Sequence, residues 1–212
     1  QMTAYHYEIY TNHFATRLDL LDFLMEILLV FKDLVSKNCV FPPDWSEMIM
    51  LQNSVILKCL RFFSGTIRDY YFTEFEHQAW SNFFHCAIAF LTQPPLQLET
   101  FTPAKRNRIV SRYKDMRRET AFEIRSMWFN LGQHKILFVP DLVGSILEMT
   151  LIPEAELRKA TIPIFFDMMQ CEWYTSRIVE GYGDTIREPK HIKGNFNEFE
   201  NEMIAQLDVL VE

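Results

Sequence analysis

Seven basic side chains crowd into residues 105–118: Lys105, Arg106, Arg108, Arg112, Lys114, Arg117 and Arg118, with Asp115 the single acid among them. They are a third of the chain's 21 lysines and arginines. Helical spacing sets Lys105, Arg108 and Arg112 on one face. Such a face either stands in solvent and pairs with neighbouring acids, or serves as a docking patch for anionic lipid or an acidic partner segment. Nucleic acid fits least, because Tyr113 is the lone aromatic between the bases and single strands need stacking platforms.

The remaining reactive residue types do not assemble into a motif. His6 and His13 are seven apart with no carboxylate or Cys at i+4, while the adjacent pair His85-Cys86 points to different faces. Zinc sites need three or four ligands at tight spacing, so these histidines read as structural or solvated. Cys39, Cys59, Cys86 and Cys171 sit far apart with no CxxC, which reads as reduced, packed thiols of a cytosolic protein. No glycine-rich phosphate loop, GxSxG elbow or HExxH occurs. The chain therefore reads as non-catalytic, with no cofactor. Trp173-Tyr174 is a candidate interface contact, whereas Trp45, Trp80 and Trp128 read as core anchors.

The 212 residues carry a formal charge of −7. Since the segment 105–118 holds seven bases and one acid, about −13 falls on the rest, and the molecule is electrically polar. Hydrophobic residues make up 49% and charged ones 23%, a folded composition. Nineteen Phe and ten Met supply large core fillers, and six Gly are too few for a turn-rich all-β fold. The most apolar stretch, 23–35, is broken by Glu26, Lys32 and Asp33, short of the ~20 residues that span a bilayer. Gln1-Met2 shows no signal-peptide pattern and reads as an internal point of a longer chain.

Helix signals recur along the whole length. A short helix over 3–14 is followed by one started by Thr16, with Asp19 in capping-box position. Leu20, Leu21, Leu24, Ile27, Leu28, Phe31, Leu34 and Val35 form its apolar stripe. After Pro42-Pro43, Asp44 and Glu47 form a second capping box. The stripe of that helix takes Trp45, Met48, Ile49, Leu51, Val55, Ile56, Leu60 and Phe63, with an end or kink at Ser64-Gly65. Further helices are expected over 74–91, 104–113 (opened by Thr102-Pro103), 115–131 (closed by Gly132), 140–151 and 153–172, the last broken or kinked at Pro163. The segment 174–194 holds Gly181, Gly183 and Pro189 without a helical period and reads as an insertion, after which Asn195 caps a final helix. Antiparallel pairs every ~40 residues point to an all-α, armadillo/HEAT-like α-solenoid of stacked antiparallel helix pairs.

Several runs resemble the DOCK (dedicator of cytokinesis) guanine-nucleotide exchange factors. They are Asn12-His13-Phe14-Ala15-Thr16 with Leu20-Leu21-Asp22-Phe23-Leu24, residues 87–93 with Leu96-Gln97-Leu98-Glu99, Tyr113-Lys114-Asp115-Met116-Arg117-Arg118, and Met127-Trp128-Phe129-Asn130-Leu131-Gly132. The most specific is Leu157-Arg158-Lys159-Ala160-Thr161-Ile162-Pro163-Ile164-Phe165-Phe166-Asp167-Met168-Met169-Gln170-Cys171-Glu172, and Phe199-Glu200-Asn201-Glu202 follows later. The resemblance is to the Rac-directed subgroup that works with ELMO proteins, with the longer 174–194 connection as a departure that points to an invertebrate member. It implies an armadillo-like array over 1–152 and the start of the helical first lobe of the exchange region DHR-2 over 153–212, a lobe that supports dimerisation. It also implies a cytoplasmic protein recruited to the plasma membrane, acting on actin, cell migration and myoblast fusion. A Rac-type GTPase and ELMO would be engaged by other parts of the parent chain, with a homodimer and anionic lipid as further partners.

Overall fold

The computed structural model describes residues 3–36 and 41–180, and every regular element among them is helical. These are α1 (Ala4–His13), α2 (Arg17–Ser36), α3 (Ser46–Tyr70), α4 (His77–Thr92), α5 (Pro103–Tyr113), α6 (Met116–Asn130), α7 (Val139–Thr150) and α8 (Ala155–Glu180). Short 3-10 turns at Pro94–Leu96, Leu98–Thr100 and Gly132–Leu137 connect them. The chain divides into two compact units, Gln1–Met127 and Trp128–Glu212.

Local chemistry sets most boundaries. Thr16 and Asp19 cap α2 reciprocally: the Thr16 N–H donates to Asp19 Oδ2 at 3.1 Å, and the Asp19 N–H donates to Thr16 Oγ1 at 3.1 Å. In α1 the His6 ring takes the corresponding role, its Nδ1 accepting from the Thr3 N–H at 3.1 Å. Gly132 ends α6 with φ +55°, a backbone open to glycine and strained for other residues.

In the first unit, Tyr71 donates to the Arg17 carbonyl at 2.6 Å, while Phe31 stacks on Phe63 farther along, so α2 and α3 run antiparallel. The Trp80 indole donates to the Tyr71 carbonyl at 3.0 Å and Asn53 reaches Gln93 at 3.1 Å, which fixes α3 and α4 antiparallel in turn. The core is the shared apolar face of these three helices, with Leu24, Leu28, Ile67, Trp80, Phe83, Phe84 and Phe90 fully buried. In the second unit α7 packs on α8 across the turn 151–154, burying Leu142, Ile146, Met149, Leu157 and Ile164. The expected all-α class of stacked antiparallel helix pairs holds.

Several expectations are corrected. Asp44 and Glu47 do not cap α3, which starts one residue later than expected, at Ser46, with Trp45 at its N-cap. Trp45 is 56% exposed and stacks on Phe41 rather than anchoring the core, because it precedes the first helical turn. The α3 stripe is also rotated. Met50, Ile56, Leu57, Leu60, Phe63 and Ile67 face inward, and Met48, Leu51 and Val55 face out. This helix is apolar on two faces, so periodicity alone leaves the choice open, and packing against α2 and α4 makes it. The helix also runs through Ser64-Gly65 to Tyr70 instead of ending there. Likewise α8 passes Pro163 unbroken and continues to Glu180, so residues 174–180 are helical rather than part of an irregular insertion. Residues 181–194, the expected helix from Asn195 and the side chains of Trp173 and Tyr174 lie outside the described residues.

Candidate functional site

The basic segment 105–118 occupies α5, the junction after it and the start of α6. Pro103 at the first helical position opens α5, and Ile109 turns inward with 1% exposure, with Lys105 and Arg112 one turn before and after it on the same face. Arg108 Nε lies 3.4 Å from Glu47 Oε1, and Arg112 Nη1 lies 3.1 Å from Glu47 Oε2. The Tyr113 hydroxyl donates to the same oxygen at 3.2 Å. One carboxylate on α3 thus ties down two guanidinium groups and a phenol, leaving the face net positive. Lys105 Nζ sits 4.2 Å from the centre of the Phe101 ring, a cation–π contact. Arg106, Lys114 and Arg118 are exposed.

Arg117 departs from the rest, being 1% exposed. Its Nε donates to Asp115 Oδ1 at 3.0 Å, Nη1 to Gln97 Oε1 at 3.1 Å and to Glu99 Oε2 at 2.7 Å, and Nη2 to Glu99 Oε1 at 2.8 Å and to Asp115 Oδ2 at 2.7 Å. All five guanidinium donors are used, with both carboxylates held in fork geometry. Arg117 is therefore a structural residue, and the outward cationic face consists of the other six. The reason is local: Asp115 caps α6, accepting the Arg117 N–H at 3.0 Å, and that bond turns the side chain back onto the turns after α4.

The network extends inward. Gln97 Nε2 donates to the carbonyls of Leu91 and Gln93 at 3.0 and 3.1 Å, and the Gln93 side chain accepts from Asn53. This polar chain joins α3, the end of α4, the 3-10 turns and α6. Burial alone would raise the Glu99 carboxyl. The hydrogen bonds from Arg117 and from its own N–H, with the Arg117 and Arg106 charges, outweigh that and hold it below the usual range. Arg117 is likewise disfavoured by burial, and its two carboxylates more than restore the charged form.

Lys114, between the two helices, has φ 59° and ψ −169°, a region nearly confined to glycine. Tyr113 is held by Glu47 on one side and Asp115 by Arg117 on the other, and the lysine backbone absorbs the mismatch. Sequence reasoning took Glu47 for a helix cap and missed the roles of Gln93, Gln97 and Asn53. No local pattern shows these contacts, which reach partners up to 66 residues away. As chemistry, the arrangement offers an electrostatic face for anions beside a rigid buried anchor. Among the described residues no helix is long and apolar enough to cross a membrane.

The comparisons agree on one family. The sequence model of the dedicator of cytokinesis (DOCK) TPR region matches residues 1–212. Mouse dedicator of cytokinesis protein 4 is 40% identical over all 212 residues, its human counterpart 39%, and human dedicator of cytokinesis protein 3 is 37% identical. In each case the match covers 100% of this chain and 10% of the relative, so the chain spans about a tenth of their length. By the extent of both matches, this chain belongs to the dedicator of cytokinesis family, as its TPR region.

Proposed function

We propose that the chain is a non-catalytic helical scaffold segment of a Rac guanine-nucleotide exchange factor, positioning the exchange domain and contributing to dimer contacts. The observation that carries the reading is the family match along the whole chain at a tenth of its relatives' length. The buried Arg117 network supports it. A spacer must transmit position, and five satisfied donors fix the start of α6 to the turns after α4 more firmly than apolar packing, which tolerates sliding.

In this reading residues 1–152 form the array and 153–212 enter DHR-2, with Trp173 and Tyr174 at an interface. A Rac-type GTPase and ELMO are bound elsewhere in the parent chain, which is cytoplasmic and recruited to the plasma membrane. The test is nucleotide release from Rac loaded with a fluorescent GDP analogue. The 212-residue chain should leave the intrinsic rate unchanged, and acceleration would overturn the assignment. Sedimentation velocity should show a concentration-dependent dimer.

A second reading is an adaptor that binds an anionic membrane or an acidic partner through the α5 face. It is favoured by one observation: Arg108 and Arg112 keep 62% and 67% of their side chains exposed while sharing one carboxylate. Phosphatidylserine vesicles should pull down the chain, and changing Lys105, Arg108 and Arg112 to Glu should abolish this. Unchanged or absent vesicle binding removes the membrane form of the reading.

A further inference from the structure

Helix α5 carries a single serine, Ser111, in the middle of its cations. Four hydroxyl side chains in the sequence follow an arginine by three residues: Ser64, Ser111, Thr120 and Thr161. Arginine at that position is what basophilic serine/threonine kinases select, through carboxylates beside their active sites. Ser64, Thr120 and Thr161 are 2%, 1% and 0% exposed, inside α3, α6 and α8. Ser111 is exposed, and it alone of the four has a second arginine, Arg106, five residues before it. Sequence and exposure converge on one hydroxyl.

A kinase takes its acceptor as an extended segment, so a helical serine must first be released by local opening. Helix α5 is weakly held. Ile109 is the only buried side chain among its 11 residues. Its other ties are surface contacts of Lys105, Arg108, Arg112 and Tyr113, of a kind that stabilises little. Lys114, which joins it to α6, is strained at φ 59°. Glu99 and Arg117 bracket α5 and hold each other directly, so the helix can open while both its flanks stay in place.

We propose that Ser111 is the phosphate acceptor for an arginine-directed serine/threonine kinase, and that the phosphate switches off the cationic face of α5. In the transfer Ser111 Oγ bonds to the γ-phosphorus of Mg·ATP and the bond from that phosphorus to the bridging oxygen breaks. ADP leaves, and the hydroxyl proton passes to the kinase's base. The product brings about −2 charge, one turn after Arg108 on the same helix face. It also ends the hydrogen bond that Ser111 Oγ donates to the Arg108 carbonyl at 2.9 Å, and a dianion in the last turn opposes the helix dipole. The switch rests on the anion-binding reading of this face, whereas the acceptor site does not.

The test incubates the 212-residue chain with a panel of purified basophilic kinases and Mg·ATP, beside a peptide of residues 102–116, and maps the products by mass spectrometry. Chain and peptide should each take up phosphate at Ser111, with Ser64, Thr120 and Thr161 unmodified in the chain. Ser111→Ala should abolish the uptake, and Arg106→Gln with Arg108→Gln should slow it at least about tenfold. A peptide that is modified while the chain is not would show that α5 does not open, and modification of neither would show that the arginines select no kinase. Either result overturns the site. The phosphorylated chain should then bind phosphatidylserine vesicles at least about tenfold more weakly than the unmodified one. Equal binding of the two overturns the switch. An unmodified chain that ignores the vesicles removes the anion-binding reading and the switch together, and the mass spectra still decide the site.

Discussion

Arg117 holds Glu99 through two parallel N–H···O bonds of 2.7 and 2.8 Å, formed between a guanidinium 1% exposed and a carboxylate 34% exposed. Glu99 belongs to the turns after α4 and Arg117 to the first turn of α6, so the pair closes a loop of 18 residues that contains all of α5. Removing one partner strands the other's charge at a poorly hydrated site. Arg117→Met should therefore cost about 3–5 kcal/mol in urea unfolding followed by circular dichroism. Arg117→Lys should recover little of it, because an ammonium cannot serve two carboxylates and Gln97 in fork geometry.

The same pair sets an acid limit. Glu99 has its folded pKa depressed, so its contribution is complete above the unfolded carboxyl value of about 4.3 and is lost as pH falls through the folded value. Stability of the native chain should drop on acidification below about pH 4.5 with a steeper slope than that of Arg117→Met, which no longer has the interaction to lose. Equal slopes would show that Glu99 is not charged against Arg117.

Two backbone positions should gain from opposite changes. Gly65 lies inside α3, and an added Cβ would meet only the flexible end of Arg68 at 3.8 Å. Gly65→Ala should therefore stabilise by about 0.5–1 kcal/mol. Lys114→Gly should stabilise by about 1 kcal/mol through relief of its φ of 59°. Gly132→Ala, at φ +55° with open space around it, should instead cost about 1 kcal/mol, all of it conformational. Melting temperatures of the three variants check the signs.

In the second unit Asp167 Oδ2 accepts from the Trp128 indole at 2.7 Å and meets Lys135 Nζ at 2.8 Å. Asp167→Ala removes the acceptor of a fully buried indole N–H and the carboxylate that meets Lys135, and should cost about 2–4 kcal/mol. Asp167→Asn keeps an acceptor for Trp128 and should cost roughly half as much. Intrinsic tryptophan emission should shift with Asp167→Ala and hold with Asp167→Asn.

Features set by neighbours in the chain were legible from the residues alone. The Thr16–Asp19 cap, the turn at Gly132, proline at the start of α5, the inward face of α2 and the helical class all follow from contacts within four residues or from a single unambiguous stripe. What tertiary structure decided is where one helix meets another. Glu47 looked like a cap for its own helix and instead binds Arg112 and Tyr113, 65 and 66 residues away. Arg117 looked like one more surface cation until Gln97 and Glu99 were brought beside it. Trp45 lost its core role, and α3 kept Ile56, Leu60 and Phe63 inward but buried Met50, Leu57 and Ile67 in place of Met48, Leu51 and Val55, when α2 and α4 arrived. A local pattern states that a helix has a side to bury. Which side is buried, and which charge is drawn in with it, depends on chain segments dozens of residues distant, and periodicity holds no record of them.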